Sequence, residues 1–255
     1  MITSQKQNSY PKIVEKFFTK DYTHFKDKFK IFDIESLPWL ILNKKFNKCH
    51  ELLQTVLKKT KPCYRYAGKT IIEQDASKLL PPENLTLKSY IILTPSDPTT
   101  YEKYLQDDNN FFLNQQQYDV VEELKNCAEV QELLNFLPIK KFYNIFITEL
   151  MPGGYLSPHI DTNYGKWKSG LRDQITIPLN DCPGAEFKFY GCGTVPLSQI
   201  GVPLLLNTNR YVHAIKNDST ISRFHLKIQG DFNTPEMLEL MEKSFYVQSN
   251  LPNQY

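Results

Sequence analysis

Between residues 142 and 230 the chain breaks into short runs, "FYNIFITELM", "GYLSPHID", "DQITIPLN", "EFKFYG", "PLLLNTN", "YVHAIKN" and "SRFHLKIQ", with Pro, Gly, Asn and Asp between them. This punctuation reads as about six to eight short strands, and consecutive short strands of this kind point to a sandwich or a barrel. Elsewhere the spacing is helical. "NKCHELLQTVLKK" places Leu52, Leu53, Val56 and Leu57 on one helical face. "YDVVEELKNCAEVQELLNFL" does the same with Val120, Val121, Leu124, Cys127 and Ala128, and Pro138 closes that helix. In "TPEMLELMEKSF", Thr234 is a candidate N-cap and Pro235 the first helical residue of a helix packed on the outside.

The expected architecture is therefore mainly β with flanking helices. Residues 1–140 form a mixed α/β region packing on the core, residues 141–232 the β core, and residues 233–255 a C-terminal helix and tail.

Composition narrows the function classes. A hydrophobic content of 41%, an aromatic content of 13% and only 10 glycines describe a chain of 255 residues that folds into a globular body. Thirty Lys plus Arg against 28 Asp plus Glu leave a net charge of +2, too small a field to favour a nucleic-acid partner. The basic, aromatic stretch "EKFFTKDYTHFKDKFKIF" is diluted by acidic residues and reads as an amphipathic helix or hairpin with solvated lysines. The N-terminus lacks the apolar run of a secretory signal, and "YIIL" and "VPLLL" are too short to span a bilayer, so no membrane contact and a cytoplasmic location are expected. Cys49, Cys63, Cys127, Cys182 and Cys192 are odd in number with no C-x-x-C pair, which argues for free thiols over a disulfide framework or a thiolate zinc site.

Within "LSPHIDTN", His159 and Asp161 stand two apart on an expected strand, so both project from the same face. With 5 histidines and 28 acidic residues in the chain, such a pair also arises by chance, and it needs a partner elsewhere. His24 and His50 lie far upstream without acidic partners. A two-histidine, one-carboxylate iron site takes its third ligand from downstream, from His213 or His225. An oxygenase of this kind that consumes 2-oxoglutarate also needs a cation for the far carboxylate, best supplied by arginine. Arg223 stands ten residues after His213, whereas the position ten after His225 is Pro235. The spacing selects His213 and leaves His225 as either a wall residue of the site or a satisfied polar residue. In "SRFHLKIQ", Arg223, His225 and Lys227 alternate with Phe224, Leu226 and Ile228, so that the apolar face packs on helices while the polar face lines a cavity.

The segments "ITELMPGGYLSPHID", "GLRDQITIPLN" and "LNTNRYVHAIKNDSTISRFHLKI" resemble the aspartyl/asparaginyl β-hydroxylase family of Fe(II)/2-oxoglutarate oxygenases, which includes free-proline hydroxylases. The resemblance covers residues 142–230 and implies a double-stranded β-helix, the jelly roll of cupin-like proteins. By matching position it implies that His159, Asp161 and His213 hold Fe(II), that Arg223 clamps 2-oxoglutarate, and that Thr148 assists the clamp. It further places Arg172 and Gln174, in "GLRDQ", near the acid group of the substrate or cosubstrate. His225 is a further candidate contact.

Members acting on protein aspartate often carry glycine at the carboxylate position, so Asp161 sides with the full-triad members, free amino acid hydroxylases among them. Halogenating relatives leave that position vacant, and the nucleobase-demethylating branch has a second arginine where this chain has Gln229. The resemblance thus implies hydroxylation of an aliphatic carbon, with Fe(II), 2-oxoglutarate and O2, on an amino acid that is free or peptidyl. The substrate is then a small molecule or a peptide. The alternatives are a jelly-roll module that binds a ligand without catalysis, or an oxygenase acting on a protein side chain or another small metabolite.

Overall fold

The computed structural model describes residues 10–19, 32–33, 36–66, 69–72, 75, 85–96, 118–161, 174–197 and 199–250. The helices are α1 (Lys12–Thr19), α2 (Cys49–Lys59), α3 (Ala128–Phe136) and α4 (Pro235–Asn250). The strands before residue 140 are β1 (Trp39–Ile41), β2 (Cys63–Tyr66), β3 (Lys69–Ile72), β4 (Leu87–Pro95) and β5 (Tyr118–Val120). Then follow β6 (Lys141–Leu150), β7 (Tyr155–His159), β8 (Gln174–Pro178), β9 (Ala185–Phe189), β10 (Gly193–Thr194), β11 (Leu204–Leu206), β12 (His213–Asn217) and β13 (Arg223–Asp231).

Among the described residues the strands form two sheets. The large one has the order β1-β11-β8-β13-β6-β4-β2-β3, with β5 paired to β4, and the small one the order β10-β9-β12-β7. From β6 to β13 the chain crosses between the sheets at nearly every step, with only β9 and β10 consecutive in one sheet. Every pair along that course is antiparallel. This interleaving is the double-stranded β-helix. The segment before residue 140 contributes strands to the large sheet itself: β1 extends one end beside β11, and β4 pairs with β6 at the other.

The alternation in β13 sets which face looks where. Phe224, Leu226 and Ile228 lie on one face, level with Ile147 and Ile145 of β6 and Ile177 and Ile175 of β8. These side chains join Leu52, Val56, Val130, Leu133, Met237 and Met241 of α2, α3 and α4 in one continuous core. The amphipathic helices exist because this face gives their apolar stripes somewhere to go. α4 begins as the sequence indicates, with the Met237 amide donating to Thr234 Oγ1 at 3.1 Å. Outside the small sheet, α1 buries Val14 and Phe17, and Lys188 donates to the Phe18 carbonyl at 2.8 Å. The remainder of the basic, aromatic stretch, from residue 20 to 31, lies outside the described residues.

One helical reading is corrected. Residues 118–120 form a strand, with Leu93 opposite Val120 and Pro95 opposite Tyr118. A 3-10 turn over Glu122–Leu124 follows, and only then α3. The helical spacing of Val120 and Val121 was outweighed by an unpaired edge of β4 that an extended, β-branched segment can satisfy. Each of the seven runs quoted from residues 142–230 contains a strand, and the two-residue β10 escaped the pattern.

The turn from β6 to β7 shuts one end of the barrel. Gly153 has φ 73°, and a Cβ on Gly154 would stand 2.8 Å from the Met151 carbonyl oxygen. Asn217, fully buried at the end of β12, donates through Nδ2 to the carbonyls of Leu150 at 3.0 Å and Ile221 at 2.9 Å, tying β6 to the start of β13.

Candidate functional site

His159 ends β7 and His213 begins β12, and the two are cross-strand partners in the small sheet. Their ring centroids are 4.3 Å apart. Asp161 follows two residues after His159, and its backbone N–H donates to the Thr208 carbonyl at 3.0 Å, which pins it beside the turn leading into β12. Asp161 Oδ1 lies 3.3 Å from His159 Nε2 and 3.8 Å from His213 Nε2. One ligand atom from each residue lies within 4.8 Å of the others, a geometry that can hold one metal ion. His213 is buried, while the His159 side chain is 38% exposed, so the cluster opens to solvent on one side.

Both imidazoles are oriented by a backbone carbonyl two residues before them. His159 Nδ1 lies 2.7 Å from the Ser157 carbonyl and His213 Nδ1 3.1 Å from the Tyr211 carbonyl. A carbonyl can only accept, so Nδ1 carries a proton in each ring and Nε2 is the atom turned toward Asp161, a donor to the carboxylate when protonated and a metal ligand when not. Phe187 stacks on His213 with centroids 5.3 Å apart, and Phe189 packs against both rings, 5.7 Å from His213 and 5.2 Å from Phe187. Trp39 stacks in turn on Phe189 at 5.9 Å.

The charges are tightly coupled. Burial presses the Asp161 carboxyl upward, but the hydrogen bond to His159 and the charges of His213 and Lys227 outweigh it and hold the group ionised. Burial lowers His159, and the Asp161 contact and Ser157 carbonyl reverse that, leaving its pKa raised. Burial dominates at His213 and pushes it down to about 4, so that ring is neutral near pH 7 and able to ligate.

Across the barrel, the inner face of the large sheet is polar. Arg223, His225, Lys227 and Gln229 alternate along β13; Thr148 lies opposite His225 on β6, and Thr176 opposite Lys227 on β8. Lys227 lies within electrostatic reach of all three residues of the cluster. Four residues deeper, about 13 Å at strand rise, is Arg223 at the closed end. It is 3% exposed, and neither Nη1 nor Nη2 has a hydrogen-bond partner. Burial lowers its pKa to about 10, which leaves it fully charged at neutral pH. Thr148 Oγ1 is likewise buried and unpartnered. A buried guanidinium with both terminal nitrogens open is a strongly unfavourable arrangement until an anion arrives, and a carboxylate matches its fork. The donor set thus fits both groups that the sequence implied: a metal at the open end and a dicarboxylate reaching toward the closed end.

His225 is corrected from the satisfied reading. It is buried with Nδ1 unpartnered, and burial with the charges of Arg223 and Lys227 drives its pKa far down, so it faces the cavity as a neutral ring. Gln174 opens β8 on the same inner face. Arg172 lies outside the described residues. The sequence reading missed Asn144 and Thr176 as lining residues and passed over Lys227 as a neighbour of the cluster. Its available signal was polar residues at even spacing, Asn144 with Thr148 four apart and Gln174 with Thr176 two apart, inside strands buried on both faces.

No helix among the described residues is long and apolar enough to cross a membrane. None of the five cysteines is joined in a disulfide.

No family model and no curated protein sequence matches the chain. Solved structures do. A 2OG-Fe(II) oxygenase family oxidoreductase from Burkholderia pseudomallei aligns over 86% of this chain and 98% of its own at 9% identity, with a TM-score of 0.45. A prolyl hydroxylase from Trichoplax adhaerens, solved with a hypoxia inducible factor peptide fragment, aligns over 88% and 90% at 14% identity, with a TM-score of 0.40. The viral collagen prolyl hydroxylase of Paramecium Bursaria Chlorella virus-1 aligns over 78% and 98% at 12% identity, with a TM-score of 0.39. The chain is similar to these in overall course, and the assignment of its site rests on its own residues.

Proposed function

We propose that this protein is an Fe(II)/2-oxoglutarate-dependent dioxygenase that hydroxylates an aliphatic carbon of an amino acid, free or peptidyl. The observation that carries the reading is the pairing, in one barrel, of the His159–Asp161–His213 cluster at the open end with the unpartnered guanidinium of Arg223 at the closed end. A metal site alone would suit many proteins, and a buried cation alone would suit any anion. Together, at the two ends of one cavity, they suit a cosubstrate that chelates iron with one end and presents a carboxylate at the other.

His159, Asp161 and His213 hold the metal through Nε2, Oδ1 and Nε2, leaving its remaining positions to ligands from the cavity. Arg223 receives the far carboxylate of 2-oxoglutarate, and Thr148 adds a hydroxyl donor to it. When bound, iron and 2-oxoglutarate supply the oxygen activation that turns the cosubstrate into succinate and carbon dioxide and places one oxygen atom in a C–H bond. The protein aims that bond and keeps bulk water from the metal. Phe187, Phe189 and Trp39 form the dry wall behind His213. His225, held neutral, lines the path of the cosubstrate without adding charge. Arg172, by its place in the sequence, serves the acid group of substrate or cosubstrate.

The test is succinate release from 2-oxoglutarate with Fe(II) and ascorbate, scored against free amino acids and short peptides together with a mass gain of one oxygen. Stimulated succinate release with hydroxylated product supports the reading. Stoichiometric metal binding with no 2-oxoglutarate-dependent succinate would leave a ligand-binding module instead.

A further inference from the structure

Beyond Lys227, one layer toward the open end, three carboxamides stand side by side. Gln229 of β13 is the cross-strand partner of Asn144 on β6 and of Gln174 on β8, so all three project from one face on adjacent strands. They are 2%, 7% and 3% exposed. Each keeps one buried, unpartnered amide atom: Gln229 Nε2, Asn144 Oδ1 and Gln174 Nε2. Gln174 is opposite Leu206, and Thr208, two residues on, accepts the Asp161 amide. The row therefore belongs to the metal end of the barrel, on the side of Lys227 away from Arg223.

We propose that this row is a substrate subsite that receives an amide group, –CO–NH–, and that the organic substrate is peptidyl or otherwise amide-bearing and not a free amino acid. The inference rests on the oxygenase reading for the word substrate and on its own geometry for the ligand class. Two buried NH2 groups and one buried carbonyl oxygen are left without partners, and an amide offers a carbonyl that accepts twice and an N–H that donates once. Burying such a group against water costs little when all three bonds form, and each unmatched atom in the row is otherwise a penalty. A free carboxylate fits less well. Turning Asn144 over would offer it three donors, but all are neutral, and a desolvated charge calls for a cation at the contact. The row itself supplies none.

Equilibrium binding to the anaerobic Fe(II)·2-oxoglutarate protein tests this without turnover. The probes are N-acetyl amino acid N′-methylamides carrying the natural side chains, against the matching free amino acids. The expected result is that at least one blocked amide binds about tenfold or more tightly than its free acid. Gln229→Met and Asn144→Leu, which keep size and remove the amide, should each weaken that amide by about tenfold while leaving 2-oxoglutarate affinity within about twofold. Free acids binding as well as amides, or no amide binding at all, overturns the proposal. So does a Gln229→Met protein that loses 2-oxoglutarate affinity and keeps the amide, since the row would then serve the cosubstrate. If either variant fails to fold, the amide-to-acid preference of the unmodified chain decides. Failure of the oxygenase reading is separate: it shows as absent succinate formation, whereas the amide preference is also read on the metal-free chain.

Discussion

On the outer face of the large sheet lie Ile145, Ile147, Ile175, Ile177, Leu226 and Ile228, sealed beneath helices; on the inner face of the same strands lie Asn144, Thr148, Gln174, Thr176, Arg223, His225 and Gln229. Both sets are buried, yet each of these seven inner residues, which share their face with Lys227, carries an unpartnered polar atom, whereas the six outer side chains are apolar. The outer face stabilises the barrel by the removal of apolar surface from water. The inner face opposes it, since each orphaned neutral group costs on the order of 1–3 kcal/mol and a buried charge more. With the inner face receiving a ligand, as proposed above, residues there should trade stability against binding in the opposite sense to those outside.

The largest effect expected is on the inner cavity's metal end. Alanine at His159, Asp161 or His213 should abolish turnover, with Fe(II) binding measured directly by equilibrium dialysis. Retained activity in His213→Ala with loss in His225→Ala would reassign the distal ligand. Next, Arg223→Met should weaken 2-oxoglutarate by roughly 2–5 kcal/mol with metal binding intact, and should leave the melting temperature equal or higher, because a buried unpaired charge has gone. An outer-face change inverts this signature: Leu226→Ala should cost about 2–5 kcal/mol in chemical denaturation, with 2-oxoglutarate affinity preserved in the protein that remains folded. If Arg223→Met were as destabilising as Leu226→Ala, the contrast between the faces would collapse. A smaller effect is expected for Thr148→Val, about 1 kcal/mol off cosubstrate affinity with unchanged or improved stability.

Acidity sharpens the same contrast at the metal end. His159 has a raised pKa in the metal-free chain, so a metal must displace its proton; affinity should fall about tenfold per unit as pH drops below that value. His213, pushed down to about 4, adds no second proton until far lower pH. For the metal-free fold the sign at His159 is opposite. Its protonated form pairs with Asp161, so that stabilisation is complete below the ordinary imidazole value and fades as pH rises through the raised one. His213 and His225, both held below the ordinary imidazole value, act the other way and cost stability as pH falls through it, so the His159 contribution is read as the difference between the melting curves of the chain and of His159→Gln across the same range.

Much of this was legible from residue order. The strand segments declare themselves because both their period and their turn residues agree, and His159, Asp161 and His213, singled out by spacing together with the family resemblance, do stand together. What resisted reading was tertiary choice. Tyr118–Val120 could pair only because β4 left an edge there, and nothing local to "YDVV" records that edge. The carboxamide row was invisible for a like reason. Asn144, Gln174 and Gln229 come from three separate segments, and only the register of β6, β13 and β8 brings them level.

The two carbonyls that hold His159 and His213 belong to Ser157 and Tyr211, each two residues back along the chain from its ring. The rings are thus aimed by the backbone of the barrel and need no ion to assemble them. Loading and emptying become reversible events on a standing scaffold: a chelator should strip the metal while the far-ultraviolet dichroism stays constant, and added Fe(II) should restore binding without a refolding lag. Such a protein can wait empty for iron and remain the same protein.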